Sequence, residues 1–349
     1  MKQPLAGLSQ KEIETLLGSD IPSFRAKQIY KWIVRGALNF ELMTDIPFSL
    51  QKQLKERFSI YSGAVTACME DGETKKIAIT FNDGVKIEAV LLSDGKNRMT
   101  ACISTQAGCP AGCVFCKTGS LGFKRNLSYG EIAEQYLHLK RLVESISEGH
   151  HGHVIDNIVV MGMGEPLLNL DNLRKTADYL NDKDGLNFSK RRITVSTCGI
   201  CSKLFEIAKE PFVKLALSLT TADEELRLKL MPITKNNPLD KVHEALKLFQ
   251  DNNGGRVTLE IPLLGGINTR REDASSIAEF AKGLETVVNI IPWNPIPGFE
   301  FEGKLLREPA KKEIADFVSM LESYGLKVTM RLHKGKRIMG ACGQLGSTN

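Results

Sequence analysis

Three of the chain's eight cysteines fall within eight residues, in the stretch CPAGCVFC at positions 109–116. Thiolates at Cys109, Cys113 and Cys116 can converge on one metal centre from a single loop, and sulfur ligands suit zinc or an iron–sulfur cluster. A structural zinc site takes a fourth protein ligand, but Cys102 lies in a predicted strand and the loop contains no histidine. A cubane cluster held by three cysteines would instead leave one iron open to a small molecule. The residues alone leave both hypotheses open.

The elements around this loop alternate between apolar strands and amphipathic helices. Strand candidates are RMTACIST, NIVVMGM, RRITVSTCG, VKLALSLT, RVTLEIPLL, VVNIIPWNP and KVTMRL, and segments such as LDNLRKTADYL and PAKKEIADFVSMLESYG predict helices between them. Buried strands separated by helices indicate an α/β fold with a parallel sheet, closed or partly closed as a barrel. In such barrels the chemistry collects at the carboxyl ends of the strands.

The chain before the barrel divides into two smaller zones. Residues 1–56 predict a helical accessory domain, in which Ser9 caps KEIETLLG and Ser23 caps FRAKQIYKWIVRGAL. Residues 57–95 predict a β-hairpin extension, because KKIAITF and VKIEAVLL flank the turn signal Asn82-Asp83-Gly84. Residues 96–349 then form the barrel.

Composition narrows the class of protein. No apolar stretch reaches the length of about 18 residues that a membrane helix needs, and the N-terminus lacks the apolar run of a signal peptide. We therefore expect a cytoplasmic protein without a membrane partner, whose thiols stay reduced for metal binding or catalysis. The net charge of +5 is compatible with a nucleic-acid partner but is also common among metabolic enzymes.

Several motifs extend beyond the cysteine loop. ACISTQAGCPAGCVFCKTGSLGFKRNLS, MGMGEPLLN, SKRRITVSTCG, VNIIPWNP and GACGQL occur in this order, after a helical start that contains FRAKQIYKWI. Over nearly the whole chain, this set resembles the RlmN/Cfr family of radical S-adenosylmethionine (SAM) RNA methyltransferases. MGMGEPLLN and IPWNP are more similar to the RlmN branch, which methylates carbon 2 of adenine in 23S ribosomal RNA and in tRNA. The Cfr branch methylates carbon 8.

The resemblance implies a fold and two cofactors. The fold is a partial (βα)6-type TIM barrel, the radical SAM core, with an N-terminal helical domain and a small β extension. Cys109, Cys113 and Cys116 would hold a [4Fe–4S] cluster whose open iron binds SAM, and an electron from the cluster would cleave SAM to a 5′-deoxyadenosyl radical. The implied partners are RNA, an external electron donor and a thiol reductant; we expect a monomer.

The resemblance also assigns the catalytic residues. Cys342 would carry a methyl group from one SAM, and a radical from a second SAM would take a hydrogen from it, so that the carbon radical adds to the base. Cys102 would then displace the methylated thiol by forming a transient disulfide with Cys342. Glu88 would accept the carbon-bound proton. On spacing alone, Cys102 would be taken for a buried strand cysteine.

Further residues correspond to the family's contacts with SAM. In this sequence they are Gly164, Glu165, Ser196, Ser218, Leu219, Thr220 and Asn294. Most follow predicted strands, where a barrel site lies. Taken alone, the glycines of MGMGEP also suit a tight turn, and Asn294 between two prolines suits ordinary turn chemistry. Three positions depart from the family pattern: Thr220 replaces a histidine, Cys198 a serine, and Arg337 lies in a stretch that is usually acidic.

Several basic stretches of the sequence could contact RNA, and two further motifs resemble functional sites. The basic stretches at 189–192 and 331–337 can hold phosphates or form solvated faces, and FKRN at 123–126 lies nearer the cysteine loop. Cys198 and Cys201 have the spacing of a redox pair, which we interpret as incidental. The histidines at positions 150, 151 and 153 are interpreted as a solvated loop. A zinc-stabilised RNA-binding protein without catalysis remains the alternative from another class.

Overall fold

The computed structural model describes residues 2–95, 98–146, 154–330 and 335–346. The described α-helices are α1 (Gln10–Leu17), α2 (Ser23–Arg35), α3 (Phe48–Arg57), α4 (Lys117–Ser120), α5 (Tyr129–Ile146), α6 (Leu170–Asn181), α7 (Cys201–Lys209), α8 (Glu224–Leu230), α9 (Leu239–Phe249), α10 (Arg271–Ala281) and α11 (Lys311–Ser323). Within these ranges, no helix is long and apolar enough to cross a membrane.

The strands are β1 (Gln3–Pro4), β2 (Phe58–Ser59), β3 (Gly63–Asp71), β4 (Thr74–Phe81), β5 (Lys86–Ser93), β6 (Met99–Cys102), β7 (Gln106–Gly108), β8 (Phe123–Asn126), β9 (Ile155–Val160), β10 (Ile193–Thr197), β11 (Lys214–Ser218), β12 (Val257–Leu263), β13 (Thr286–Pro292), β14 (Glu300–Phe301), β15 (Lys304–Leu305) and β16 (Val328–Met330). Ten of them form one sheet in the order β16-β13-β12-β11-β10-β9-β6-β5-β4-β3. Pairs from β6 to β16 are parallel, and those from β3 to β6 are antiparallel.

The parallel part of the sheet is built from βα units. Helices follow β6, β9, β10, β11, β12 and β13 before the last strand β16. In the described chain, the end strands β3 and β16 do not pair with each other, so the barrel stays open. The predicted partial barrel of α/β class is confirmed. Alternate residues of β10, such as Thr194 and Ser196, therefore face the interior of the barrel.

The N-terminal helices pack onto the barrel. Ser9 caps α1 and forms a reciprocal capping box with Glu12, as its position predicted. The predicted capping role of Ser23 was wrong: Pro22 occupies the cap position, so Ser23 is already the first helical residue. The hydroxyl of Tyr30 in α2 donates to Asp182 Oδ2 at 2.5 Å and ties this region to the end of α6. Buried side chains from both regions form one contiguous core.

The β extension continues the barrel sheet. β4 and β5 pair around the predicted turn, and Gly84 has a φ of +81°, which favours glycine. Because β5 also pairs with β6, the hairpin brings its inner face to the opening of the barrel. The domain boundaries at residues 56 and 95 stay predictions.

Candidate active site

A cavity of about 170 Å³ lies at the carboxyl ends of the parallel strands. It contains nine of the residues singled out in the sequence, which are Cys109, Cys113, Cys116, Gly164, Glu165, Ser196, Ser218, Asn294 and Cys342. These residues come from the cysteine loop, the ends of β9, β10, β11 and β13, and the C-terminal segment. The structure thus brings together groups that lie up to 233 positions apart in sequence, the distance from Cys109 to Cys342.

The cysteine loop is fixed by close backbone contacts. Gly108 has a φ of +73°, and a Cβ atom there would lie 1.7 Å from the carbonyl oxygen of Gly122, so only glycine fits. The amide of Cys109 donates to that same oxygen at 3.0 Å. On the other side, the indole N–H of Trp293 donates to the carbonyl of Phe115 at 2.8 Å. The loop is therefore held on both sides of the thiols.

The three thiols lie in a buried and mutually repelling environment. Burial is the main cause that raises the pKa of Cys109 to about 12 and the pKa of Cys113 well above its usual range. The neighbouring thiols add to both shifts because two adjacent thiolates repel each other. A bound cationic centre offsets this penalty, since coordinated thiols are deprotonated. The environment therefore suits metal-bound sulfur rather than free thiolates.

The arrangement of the donors tests which metal centre fits. Across the described ranges, no three His, Cys, Asp or Glu side chains converge closely enough to hold a single metal ion. A structural zinc ion takes four protein ligands at about 2.0–2.3 Å, and the loop supplies three thiols. An iron–sulfur cluster spreads its sulfur ligands around a larger core. Three thiols that face one cavity from a fixed loop suit such a cluster.

The turn after β9 places a buried carboxylate on the cavity wall. Glu165 accepts hydrogen bonds from the amides of Cys198 and Leu167, at 2.8 and 3.0 Å, and from the hydroxyl of Thr197 at 2.6 Å. Burial raises the pKa of Glu165, and these bonds oppose that shift. Gly164 has a φ of +103°, and a Cβ atom there would lie 2.5 Å from Cβ of Gln106. The turn therefore requires glycine beside the carboxylate.

A chain of polar groups crosses the ends of three neighbouring strands. Ser196 Oγ lies 3.0 Å from Ser218 Oγ and donates to Glu260 Oε2 at 2.9 Å. Glu260 was not singled out from the sequence, although it is the only charged residue in the apolar segment VTLEIPLL. That isolated carboxylate inside a buried strand was the sequence signal that could have identified Glu260 as a site residue. These three side chains give the cavity a wall that can bind hydroxyl or amino groups.

Asn294 provides a further polar group. Its Nδ2 donates to the carbonyl of Cys342 at 3.1 Å, whereas its buried Oδ1 has no hydrogen-bond partner among the residues that the structure describes. A buried acceptor without a partner is costly unless a ligand satisfies it. Leu219 and Thr220 follow Ser218 but do not contribute to the cavity wall, and both are fully buried. Thr220 has a φ of +64°, an uncommon conformation for a β-branched residue.

A second cavity of about 680 Å³ adjoins the first in the interior of the barrel. Its wall includes Cys102 and the inward residues of the amino-terminal halves of the strands, such as Thr194 and Thr258. Cys342 contributes to both cavities, so it lies at their junction and shares the larger one with Cys102. Glu88 lies outside both walls, in the β extension, with only 2% of its surface exposed.

Residues 335–346, here called the Cys342 loop, are held by three separate parts of the protein. The amide of Lys117 and the hydroxyl of Thr118 donate to carbonyls in the loop at 2.7 Å each. The loop accepts a bond from Asn294, and Gln344 donates to the carbonyl of Pro295 at 3.2 Å. On the third side, Lys76 and Glu88 of the β extension bond to the carbonyl of Met339 and the amide of Gly346.

Arg227 is a second residue that the sequence did not single out. Its side chain is fully buried, and the guanidinium donates to the carbonyls of Leu219 and Cys198 at 3.1 and 2.6 Å. It also donates to the hydroxyl of Thr234 at 2.6 Å. Arg227 thus holds the turns after β10 and β11 together. Its sequence context, EELRLKL, is that of an ordinary surface helix and gave no signal.

Only some of the basic side chains that could contact RNA phosphates are exposed and not already paired with carboxylates. Arg125 in β8 is already paired with Asp83 and Glu131, at 2.6 and 2.8 Å, whereas Lys124 and half of Phe123 are exposed. Arg337 is exposed on the Cys342 loop. Residues 331–334 and the histidines at 150, 151 and 153 lie outside the described residues.

Cys198 and Cys201 differ in burial and in position. Cys198 is buried, Cys201 is half-buried at the start of α7, and both are free cysteines. The main role that the structure gives to Cys198 is through its backbone, which bonds with Glu165 and Arg227.

Comparison with known proteins identifies the class of this site. The sequence profile of the Radical SAM superfamily matches residues 103–281, and that of the Ribosomal RNA large subunit methyltransferase N-terminal domain matches residues 4–60. A crystal structure of a radical SAM methyltransferase from Sphaerobacter thermophilus has a TM-score of 0.91 to this protein, at 35% identity and 99% coverage of each chain. Fold and site therefore define a radical SAM protein.

Curated relatives narrow the identification. A probable dual-specificity RNA methyltransferase RlmN from Treponema denticola is 47% identical over 99% of this chain and 96% of the relative. A protein of the same description from Treponema pallidum is 41% identical over 99% and 97% of the two chains. The chain belongs to the RlmN family of radical SAM RNA methyltransferases. The predicted family is confirmed, and with it the predicted [4Fe–4S] cluster and SAM as cofactors.

Proposed function

We propose that the protein methylates carbon 2 of an adenine in 23S ribosomal RNA and in tRNA, with Cys342 as the carrier of the methyl group. The observation that supports this most is the position of Cys342 at the junction of two cavities. One contains the three cysteines of the loop, and the other contains Cys102. A single thiol can thus face a methyl donor on one side and a resolving thiol on the other.

The first cavity is the proposed site of both cofactors. Cys109, Cys113 and Cys116 would hold the [4Fe–4S] cluster, and bound together, cluster and SAM supply a 5′-deoxyadenosyl radical. Gly164 and Glu165 would bind the amino-acid end of SAM, and Ser196 and Ser218 would also face SAM. Asn294 would satisfy its unpartnered Oδ1 with an amino group of the SAM adenine. Leu219 and Thr220 would act through the backbone at the end of β11.

Carbon 2 of adenine is not nucleophilic, so it cannot simply attack the methyl group of SAM. A methyl group held on Cys342 Sγ can instead lose a hydrogen atom and form a bond to the base. The protein is then covalently joined to RNA. Glu88 would take the proton from carbon 2, and the unpaired electron that the addition leaves on the base would return to the cluster. The Cys102 thiolate would then attack Cys342 Sγ, so that a disulfide forms and the bond from Cys342 Sγ to the methylene carbon breaks. That carbon keeps the electron pair, takes up a proton and becomes the methyl group.

The proposal includes partners outside the chain. The target adenine must leave its stack to reach a buried thiol, so we propose that the RNA presents a flipped or unpaired base. An external electron donor would supply electrons to the cluster. An external thiol reductant would reduce the disulfide between Cys102 and Cys342 after each turnover. The protein would act as a monomer.

The decisive experiment uses SAM with a fully deuterated methyl group, cluster-loaded protein, a reductant and unmodified ribosomal RNA. We expect 2-methyladenosine in the nucleoside digest, with one deuterium replaced by hydrogen because the methyl group passes through a methylene radical. Labelled 8-methyladenosine would instead assign the Cfr reaction. Unlabelled adenosine, despite SAM cleavage by an intact cluster, would exclude both. Metal analysis that finds one zinc and no iron would support the non-catalytic alternative.

A further inference from the structure

We propose that Lys76 and Glu88 form a charged latch that holds the Cys342 loop closed. The inference rests on the function proposed above and concerns how Glu88 becomes available as a base. Nothing in the sequence analysis singled out Lys76, which lies in the strand segment KKIAITF.

The latch residues are neighbours on one face of the hairpin. Lys76 in β4 is registered opposite Val90, and Glu88 in β5 is registered opposite Ala78. The two side chains are therefore diagonal partners, and Lys76 Nζ lies 3.1 Å from Glu88 Oε1. Each side chain is only 2% exposed. Two charges so deeply buried persist only when each is paired and hydrogen-bonded.

Both members of the pair also bind the Cys342 loop. Lys76 Nζ donates to the carbonyl of Met339 at 3.3 Å, and the amide of Gly346 donates to Glu88 Oε2 at 2.6 Å. These two attachment points lie three residues before and four residues after Cys342. The pair thus binds the loop on both sides of the thiol that would carry the methyl group.

The closed geometry prevents Glu88 from acting as a base. One carboxylate oxygen is engaged by Lys76 and the other by Gly346, and Glu88 lies outside the walls of both cavities. To receive a proton from carbon 2 of the base, Oε2 must lose its hydrogen bond from the amide of Gly346, and the loop must move away. The C–H electron pair then returns to the purine ring while the proton moves to Oε2. Opening the loop and exposing the base are therefore one event.

Removing the charge of Lys76 tests the latch. Lys76→Met removes the charge while keeping a side chain of similar length. Lys75→Met is the matched control, because Lys75 lies on the other side of β4 and pairs with the exposed Glu70 at 2.8 Å.

The first measurement is tryptic cleavage of the cluster-loaded, SAM-bound protein without RNA. Lys336 and Arg337 are exposed cleavage sites at the start of the loop, close to Met339. We expect Lys76→Met to release the C-terminal peptide about tenfold faster than Lys75→Met, because local opening exposes the sites. The double variant Lys76→Met/Glu88→Leu removes both charges of the pair and should show the same increase. Equal cleavage rates in the double variant and the control would disprove the latch.

The release chemistry is tested separately. If Glu88→Gln accumulates no covalent protein–RNA adduct, the proposed role of Glu88 in release is wrong, and the tryptic assay still decides the latch on its own.

Discussion

The cysteine loop at 109–116 and the Cys342 loop at 335–346 meet in one cavity, yet they are held in different ways. The cysteine loop follows Gly108, whose neighbourhood leaves no room for a side chain, and its own backbone groups bond to Gly122, Leu230 and Trp293. The Cys342 loop depends on hydrogen bonds and a buried ion pair with elements that lie more than 40 positions away. A permanent anchor suits a cofactor ligand, and a releasable one suits a thiol that must change partners.

Replacing Cys109, Cys113 and Cys116 together by alanine should have the largest effect. Without these ligands we expect loss of the iron, of SAM cleavage and of methyl transfer, each by roughly a thousandfold or more. Iron and sulfide analysis with a 5′-deoxyadenosine assay measures all of this. SAM cleavage at a normal rate in the iron-free variant would show that the cysteine loop is not the cluster site.

Cys342→Ala should distinguish the functions of the two loops. The cysteine loop is untouched, so we expect normal iron content and SAM cleavage within about threefold of the unaltered protein, but no methylated adenosine. Mass spectrometry of the RNA, with 5′-deoxyadenosine quantified in the same reaction, measures both. Cys342→Ser serves as a near-isosteric control that also lacks the thiol. Methylation by either variant would contradict the carrier role.

The same substitution at a glycine of each loop should give different costs. Gly108→Ala brings a methyl group within 1.7 Å of a backbone oxygen, so we expect it to destabilise the protein by about 3 kcal/mol or more. Gly343→Ala meets nothing closer than 3.6 Å, and only its φ of +84° is strained, which costs about 1 kcal/mol. Anaerobic urea denaturation compares them. Similar losses would mean that the two loops are equally rigid.

Thr118→Val should have the smallest effect and tests the contact between the loops. The change removes the hydroxyl that donates to the carbonyl of Leu345 at 2.7 Å while preserving the shape of the side chain. We expect a loss of about 1 kcal/mol in stability and a faster tryptic release of the C-terminal peptide. Ser120→Ala, which removes a hydroxyl bonded only to the carbonyl of Lys117, is the control. An unchanged release rate would show that other contacts alone close the loop.

Much of the fold followed from local patterns. The turn at Asn82-Asp83-Gly84, the cap at Ser9 and the alternation of apolar strands with helices all use short-range physics, and the structure has each of them. Ser23 failed because Pro22 took the cap position, a competition between adjacent residues. The same turn fixes the register of β4 and β5, so the sequence pattern also predicts that Lys76 lies beside Glu88.

The sequence by itself determined the donors of the site: three closely spaced thiols, two distant ones, and a glycine-rich turn with a carboxylate. Only the tertiary structure decided which of these groups meet. Glu260 became part of the site because neighbouring strands converge when a parallel sheet curls, and no periodicity reports that convergence. Likewise, Cys342 and Cys102, 240 positions apart, line one cavity because the segment that contains Cys342 folds back onto the barrel. Contacts between such distant residues depend on packing, whereas the sequence pattern specifies only neighbours.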